Sequence, residues 1–253
     1  MKKQIASLIA VYAIIILLTG VAAAEPAAIA QDTRAAIMKI LHVEKVLDVR
    51  TTAIEGMYEV ALPNRQVVYV HPDKKLIFSG QIFDAATGKS LTAERASEIS
   101  SNIANEVLSK VDKKKLFKIG TGPIELVEFT DVDCSHCRQS EQYFKGKEKI
   151  FSRYIILLAG EKSLKKTKAI LGAARPGDEF IKTMAGDYDA KEPVISAAAE
   201  EKALQSLIYF KQVLEKVEIA GTPTFVWLGG MMQGLDTKFF DSLIEVNRLG
   251  DKK

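Results

Sequence analysis

The chain has 253 residues, of which 47% are hydrophobic and 26% charged, and these ordinary fractions exclude wholesale disorder, collagen-like repeats and a multi-span membrane protein. Lys and Arg number 35 against 32 Asp and Glu, a net charge of +3, and no basic tract is interleaved with aromatics, so nucleic acid is not an expected partner. The two cysteines, Cys134 and Cys137, form one close pair, from which no structural disulfide framework can be built.

The first two dozen residues read as an export signal rather than as fold. Lys2 and Lys3 supply a positive start, an apolar run follows over 8–20, and Ala22-Ala23-Ala24 offers a small-residue cleavage site before Glu25. An uncleaved anchor over 5–24 is the alternative, but the small residues and the polar Glu25-Pro26 favour cleavage after Ala24. Export puts the cysteines in an oxidising compartment, the periplasm in a bacterium, where dithiols close unless something reduces them.

Residues 27–41 carry Ile29, Ala36, Ile37, Ile40 and Leu41 at helical spacing. Four strands are expected over 46–49, 57–62, 66–70 and 76–83, with Gly56, Pro63-Asn64 and Pro72-Asp73 as turns between them. Alternation over 57–62 predicts one buried sheet face. A helix-plus-sheet module of this size is marginal alone and gains its missing burial from a second copy. Residues 92–113 lack Pro and Gly, and Ala96, Ile99, Ile103, Val107 and Val111 form a thin apolar stripe, so a linker helix is expected, closed by Lys113-Lys114-Lys115.

From residue 124 onward strands alternate with helices: a strand over 124–130, a helix over 134–144 and a strand over 154–159. A long helical region over 162–217 is broken at Pro176 and Pro193. Strands over 224–228 and 231–234 and a helix over 239–249 complete an α/β domain with helices on the sheet faces. Gly120-Thr121-Gly122 lacks the lysine of a phosphate loop and the third glycine of a dinucleotide fold, so no nucleotide is expected.

Cys134-Ser135-His136-Cys137 follows a strand and opens a helix. Unpaired backbone N–H groups at the helix start favour a thiolate at Cys134, while Cys137, one turn on, is close enough to form the disulfide. Cys134 is therefore expected to attack and Cys137 to resolve. His136 adds positive charge beside the pair, and Asp131 and Asp133 act in the opposite sense. A zinc site needs a second ligand pair that is absent, and a purely structural bridge over so short a loop contributes little. Copper held by Cys134, His136 and Cys137 is chemically open. The expectation is redox chemistry with no cofactor and no resident metal.

Glu128-Phe129-Thr130-Asp131 leading into the two cysteines, with Gly221-Thr222-Pro223 ahead of a strand, resembles a thioredoxin-fold disulfide exchanger of the DsbC/DsbG family. Gly56-Met57-Tyr58-Glu59-Val60, the strand over 67–70 and Gly80-Gln81-Ile82-Phe83-Asp84 are similar to that family's N-terminal dimerisation domain. The resemblance implies a signal over 1–24, a dimerisation domain over 25–90, a linker helix over 91–117 and a thioredoxin-like domain with a helical insertion over 118–253. It also implies a cis Thr222–Pro223 bond against the Cys134 sulfur, where Thr222 and Pro223 bind an extended substrate. A V-shaped homodimer, mis-disulfided secreted proteins as substrates and a membrane electron donor of DsbD type follow from the same resemblance.

Two departures bear on the direction of electron flow. Ser-His between the cysteines resembles the more oxidising exchangers rather than the Gly-Tyr of the isomerases. Glu128 stands where thioredoxins and oxidases keep a buried carboxylate, and if buried it takes the proton from Cys137; a strand-edge glutamate in water is the alternative. The expected function is a disulfide isomerase or reductase, with a net oxidase, a chaperone holdase and a copper carrier as the rivals.

Overall fold

A computed structural model describes residues 29–250, so the expected export signal over 1–24 lies outside the described residues. Helix α1 (Gln31–Leu41) ends where His42 takes a left-handed conformation, and four strands follow: β1 (Asp48–Thr51), β2 (Tyr58–Ala61), β3 (Val67–His71) and β4 (Leu76–Phe78). They pair antiparallel in the order β1-β2-β3-β4. Side chains alternate across a strand, so Val60, Val68 and Val70 meet Ile37 of α1, while Ala61, Val67 and Tyr69 meet Ile99 from the next helix. Both sheet faces are therefore covered, where the strand pattern predicts one. β4 stops at Phe78 rather than reaching Phe83, which only bridges to Ser90 across a loop closed by the Asp84 carboxylate.

Helix α2 (Leu91–Lys110) starts at Ser90, whose hydroxyl accepts the Ala93 N–H. Thr92, the expected start, instead shares a hydrogen bond with Tyr69 and accepts the Ile82 N–H, tying the helix to the sheet. Arg95 is buried and reaches Asp48 at 2.5 Å, Glu59 at 2.9 Å and Glu98 at 2.9 Å. Further along, Ala104 and Val107 join the core of the second domain, and Ser100 exchanges hydrogen bonds with the backbone of Met231. The stripe on α2 is thin because its two halves bury different residues against different partners. The three lysines at 113–115 form a separate 3-10 turn capped by Asp112, beyond the end of α2.

The second sheet contains β5 (Phe117–Ile119), β6 (Ile124–Thr130), β7 (Phe151–Leu157), β8 (Thr224–Trp227) and β9 (Gly230–Gln233), in the order β5-β7-β6-β8-β9. β6 and β7 are parallel, and the other neighbours antiparallel. β5 has three residues, too few for a period to register in the sequence. At its end Gly120 adopts φ +84°, and a Cβ on Gly122 would stand 1.9 Å from the Ile150 carbonyl carbon. That close approach, not phosphate binding, explains the two glycines.

Helix α3 (Ser135–Phe144) follows β6, and α7 (Thr237–Gly250) closes the chain on the same face. There Phe144, Phe151, Phe225 and Phe240 pack with ring centroids 5.0–5.9 Å apart. The opposite face is covered by an insertion between β7 and β8: α4 (Leu164–Gly172), α5 (Pro176–Ala185) and α6 (Ala197–Leu214). Pro176 begins α5, where its missing N–H costs nothing. This is a thioredoxin-like domain with a helical insertion, preceded by a small α+β domain. Phe240→Ala should destabilise the protein by roughly 3–5 kcal/mol in urea unfolding, whereas Leu228→Ala on the exposed hairpin tip should stay within about 0.5 kcal/mol.

Candidate active site

β6 is buried along nearly its whole length, so the chain leaves it at a fixed point and direction. Asp131 shapes the exit: its carboxylate accepts the Asp133 N–H at 2.9 Å and the Ser163 hydroxyl at 3.2 Å. Cys134 then caps α3 in extended conformation, with one turn of free backbone N–H groups ahead of it. Both cysteines are free thiols, Cys134 partly exposed and Cys137 fully buried.

The Thr222–Pro223 peptide bond is cis, and the Thr222 carbonyl accepts the Cys134 thiol at 3.5 Å. Pro223 is buried behind it, with its own carbonyl accepting the Gly234 N–H at 2.7 Å. Cys134, Cys137, Thr222 and Pro223, separated by 88 residues of chain, thus meet at one place.

Opposed effects separate the two thiols. Partial burial raises Cys134, but the Thr222 side chain, the Cys137 thiol and the backbone N–H groups of Cys137 and His136 outweigh it, so its pKa falls below the ordinary thiol value. Burial pushes Cys137 up to about 12, against weaker lowering by Thr130, Thr222 and the Asp131 backbone. A thiolate is favoured at the outer sulfur and a protonated thiol at the inner one. His136 contributes through its backbone, while its imidazole is exposed.

Glu128 is fully buried, which removes the alternative of a strand-edge carboxylate in water. Desolvation raises its pKa to about 7, even though Arg153 on β7 pairs with it at 2.9 Å. Arg153 is itself 3% exposed and also reaches Glu141 of α3 at 2.8 Å. The expected strand over 154–159 begins one residue too late to include Arg153. Placing β7 at Phe151 puts Phe151, Arg153 and Ile155 on the face shared with Glu128, and a lone arginine in an apolar strand was the available signal.

A second network surrounds the start of α3. Lys166 donates to Asp133 at 2.7 Å and to Asp189 at 2.9 Å, and Arg138 pairs with both of those carboxylates. Arg138 and Lys166 hold the Asp189 carboxyl far below the usual range. Asp133, expected to oppose a thiolate at Cys134, is thus largely neutralised by residues of α3 and the insertion. Sequence reasoning missed this because Lys166 and Asp189 are distant in the chain. Among the described residues no group of three or more His, Cys, Asp and Glu side chains is gathered to hold a metal, and no helix is long and apolar enough to cross a membrane. A cleft of about 1050 Å³ between the N-terminal sheet and residues 214–220 includes neither cysteine.

A dithiol at a helix start, set against a cis-proline at the edge of this sheet, places the second domain in the thioredoxin-like class. Residues 20–93 match the family described as Disulfide bond isomerase protein N-terminal domain. A relative described as Probable thiol:disulfide interchange protein DsbC, from Bordetella avium (strain 197N), is 26% identical over 171 residues, which are 67% of this chain and 57% of the relative. The chain therefore spans little more than half the length of that relative. With that N-terminal match joined to a dithiol domain, the chain is similar to thiol:disulfide interchange proteins of DsbC type. Among solved structures, Helicobacter pylori DsbG is 19% identical, with a TM-score of 0.37, covering 77% of this chain and 99% of its own. The Wolbachia pipientis protein α-DsbA2 is 12% identical, with a TM-score of 0.46, covering 59% of this chain and 96% of its own.

Because folding raises the Glu128 pKa from 4.5 to about 7, its contribution to stability is fully present below pH 4.5 and is lost as pH rises through 7. Glu128→Gln should therefore remove roughly 1–3 kcal/mol of the decline in stability between pH 5 and pH 8, as followed by urea unfolding at each pH. An unchanged slope would mean that the carboxyl is ionised in the folded protein.

Proposed function

We propose that this chain is an exported, homodimeric thiol:disulfide isomerase and reductase acting on mis-disulfided secreted proteins. The observation that carries the reading is the inequality of the two thiols: Cys134 is lowered and accessible beside Thr222, and Cys137 is raised and buried behind it. The Cys134 thiolate attacks a substrate disulfide, forming the mixed disulfide and releasing the other substrate sulfur as a thiolate. Thr222 and Pro223 hold the bound chain in extended form. A substrate thiolate can then attack the mixed disulfide, which regenerates Cys134 and completes an isomerisation. Alternatively Cys137, giving its proton to Glu128, attacks Cys134, releases the reduced substrate and leaves the enzyme oxidised. A membrane electron donor of DsbD type returns it to the dithiol.

Residues 25–90 serve as the dimerisation domain in this reading and 91–117 as the linker. β4 is an edge strand whose Leu76, Ile77 and Phe78 are each nearly half exposed, an arrangement suited to pairing with a second copy. A net oxidase is the second reading, favoured by the buried Glu128 and by Ser135-His136 between the cysteines. The export signal over 1–24 supports a periplasmic location.

Reduced mature protein should restore activity to a scrambled multi-disulfide substrate, and Cys134→Ala should abolish the recovery. Recovery without Cys134 would sink the mechanism, and rapid oxidation of a reduced substrate with no unscrambling would establish the oxidase. Cys137→Ala should accumulate mixed disulfides, visible on non-reducing gels, while retaining some isomerisation. Ile77→Lys with Phe78→Lys should give monomers by light scattering, and a surviving dimer would move the interface away from β4.

A further inference from the structure

The loop that carries Thr222 and Pro223 is held from behind by the hairpin of β8 and β9. Thr224 Oγ1 donates to the Gly221 carbonyl at 2.7 Å, and the Gly234 N–H, just past β9, donates to the Pro223 carbonyl at 2.7 Å. Gln233 lies against the same loop, its Nε2 2.7 Å from where a Cβ on Gly221 would stand. The position of β9 therefore sets the position of the loop that faces Cys134.

β9 is the last strand of its sheet, with β8 on one side and no strand on the other. Such an edge leaves backbone N–H and C=O groups without ladder partners. At Met231 both groups are taken by one side chain: Ser100 Oγ of α2 accepts the Met231 N–H at 3.1 Å and donates to the Met231 carbonyl at 3.2 Å. A hydroxyl has one proton to give and lone pairs to accept with, so it can stand in for a residue of a neighbouring strand. Ser101 donates to the Gly229 carbonyl at 2.6 Å, at the turn between the two strands.

Ser100 sits where α2 passes from one domain to the other. Ile99 before it is buried against the N-terminal sheet, and Ala104 and Val107 after it are buried in the core of the second domain. The helix is thus held on both sides of the contact, and the hydroxyl has a rigid base. A second link from the N-terminal domain reaches the chain ahead of the loop, where Lys45 pairs with Glu218 at 2.5 Å. Those side chains are 56% and 79% exposed, so water screens the pair and it holds little.

We propose that Ser100 is a positioning residue for substrate binding: by bridging the free edge of β9 it fixes the loop over 221–223 in the form that holds an extended chain, and so couples the linker helix to substrate affinity. This rests on the substrate-holding role given above to Thr222 and Pro223. Ser100 acts through β9 rather than on the reacting sulfurs. Without its hydroxyl, two backbone groups of Met231 lose their partner, and the hairpin and the loop behind which it stands lose their tie to α2. The grip on residues flanking the substrate cysteine weakens, while the thiolate at Cys134 keeps its helix start.

The test uses the reduced mature protein, in its native oligomeric state, and two probes. One is an extended peptide whose central cysteine carries thionitrobenzoate, and the other is N-acetylcysteine amide carrying the same group. Both are mixed at pH 9.5, where Cys134, lowered from the ordinary 9.0, is ionised. Release of thionitrobenzoate against probe concentration gives a half-saturating concentration and a limiting rate. Ser100→Ala should raise the half-saturating concentration of the peptide about three- to tenfold, while its limiting rate and the rate with the small probe change less than about twofold. Ser100→Thr, which keeps the hydroxyl, should return it to within about twofold of the wild type. Lys45→Ala should raise it by less than about twofold. An unchanged half-saturating concentration in Ser100→Ala, an equal loss with both probes, or no recovery in Ser100→Thr overturns the inference, as does a larger effect from Lys45→Ala than from Ser100→Ala. The wild type is also run with the peptide N-methylated on the residues beside its cysteine. If N-methylation leaves the half-saturating concentration unchanged, the holding role of Thr222 and Pro223 falls and the inference with it. If N-methylation raises it and Ser100→Ala does not, the inference alone falls.

Discussion

Two thiols one helical turn apart become chemically different because a buried strand delivers a helix start to the edge of a sheet. β6 is held on both sides, by β7 and β8, and ends where Asp131 turns the chain. From that fixed point the first residue of the turn looks outward to Thr222 and the fourth looks inward to Thr130. Water, backbone N–H groups and the opposite carbonyl act on Cys134, whereas burial in the apolar core outweighs the polar influence of Thr130, Thr222 and the Asp131 backbone on Cys137. The aromatic layer of Phe144, Phe151, Phe225 and Phe240 matters to function because it locks α3 onto that sheet.

Charge around the site is arranged in two shells of unequal energetic weight. The outer network of Asp133, Arg138, Lys166 and Asp189 is partly solvated and internally balanced, so its electrostatic value is small and its effect is to tie the insertion to the dithiol loop. The inner cluster of Glu128, Arg153 and Glu141 is dry and unbalanced, and there a single proton has a large energetic consequence. An outer shell that cancels Asp133 leaves Cys134 to the helix start. An inner shell that does not cancel leaves Glu128 able to exchange a proton.

The N-terminal domain meets a different physical demand. Its four short strands bury one face on α1 and the other on the first half of α2, and Arg95 binds Asp48, Glu59 and Glu98 across that seam. The domain still leaves Leu76, Ile77 and Phe78 open along its edge, as a module too small to cover itself does. The second half of α2 packs on β8 and β9, so the helix belongs structurally to both domains.

Local chemistry was legible in the sequence. The spacing of Cys134 and Cys137 after an apolar run marked a strand-to-helix dithiol, and the turn residues marked the early hairpins. β6 matched its expected limits because an uninterrupted apolar strand is a strong signal, while β5 was too short to produce one. Glu128 attracted notice by its type alone, but whether it faced water or core depended on which strand face α3 covers. The partners Arg153, Glu141, Lys166 and Asp189 carried no local pattern, because ion pairing follows proximity in space and these residues lie on separate elements. Periodicity and turn chemistry are properties of neighbours along the chain, so the sequence determined most of the elements and the placement of the paired cysteines at a helix start. Burial and charge pairing are properties of neighbours in space, so only the tertiary structure decided which thiol is protected and which carboxyl keeps its proton.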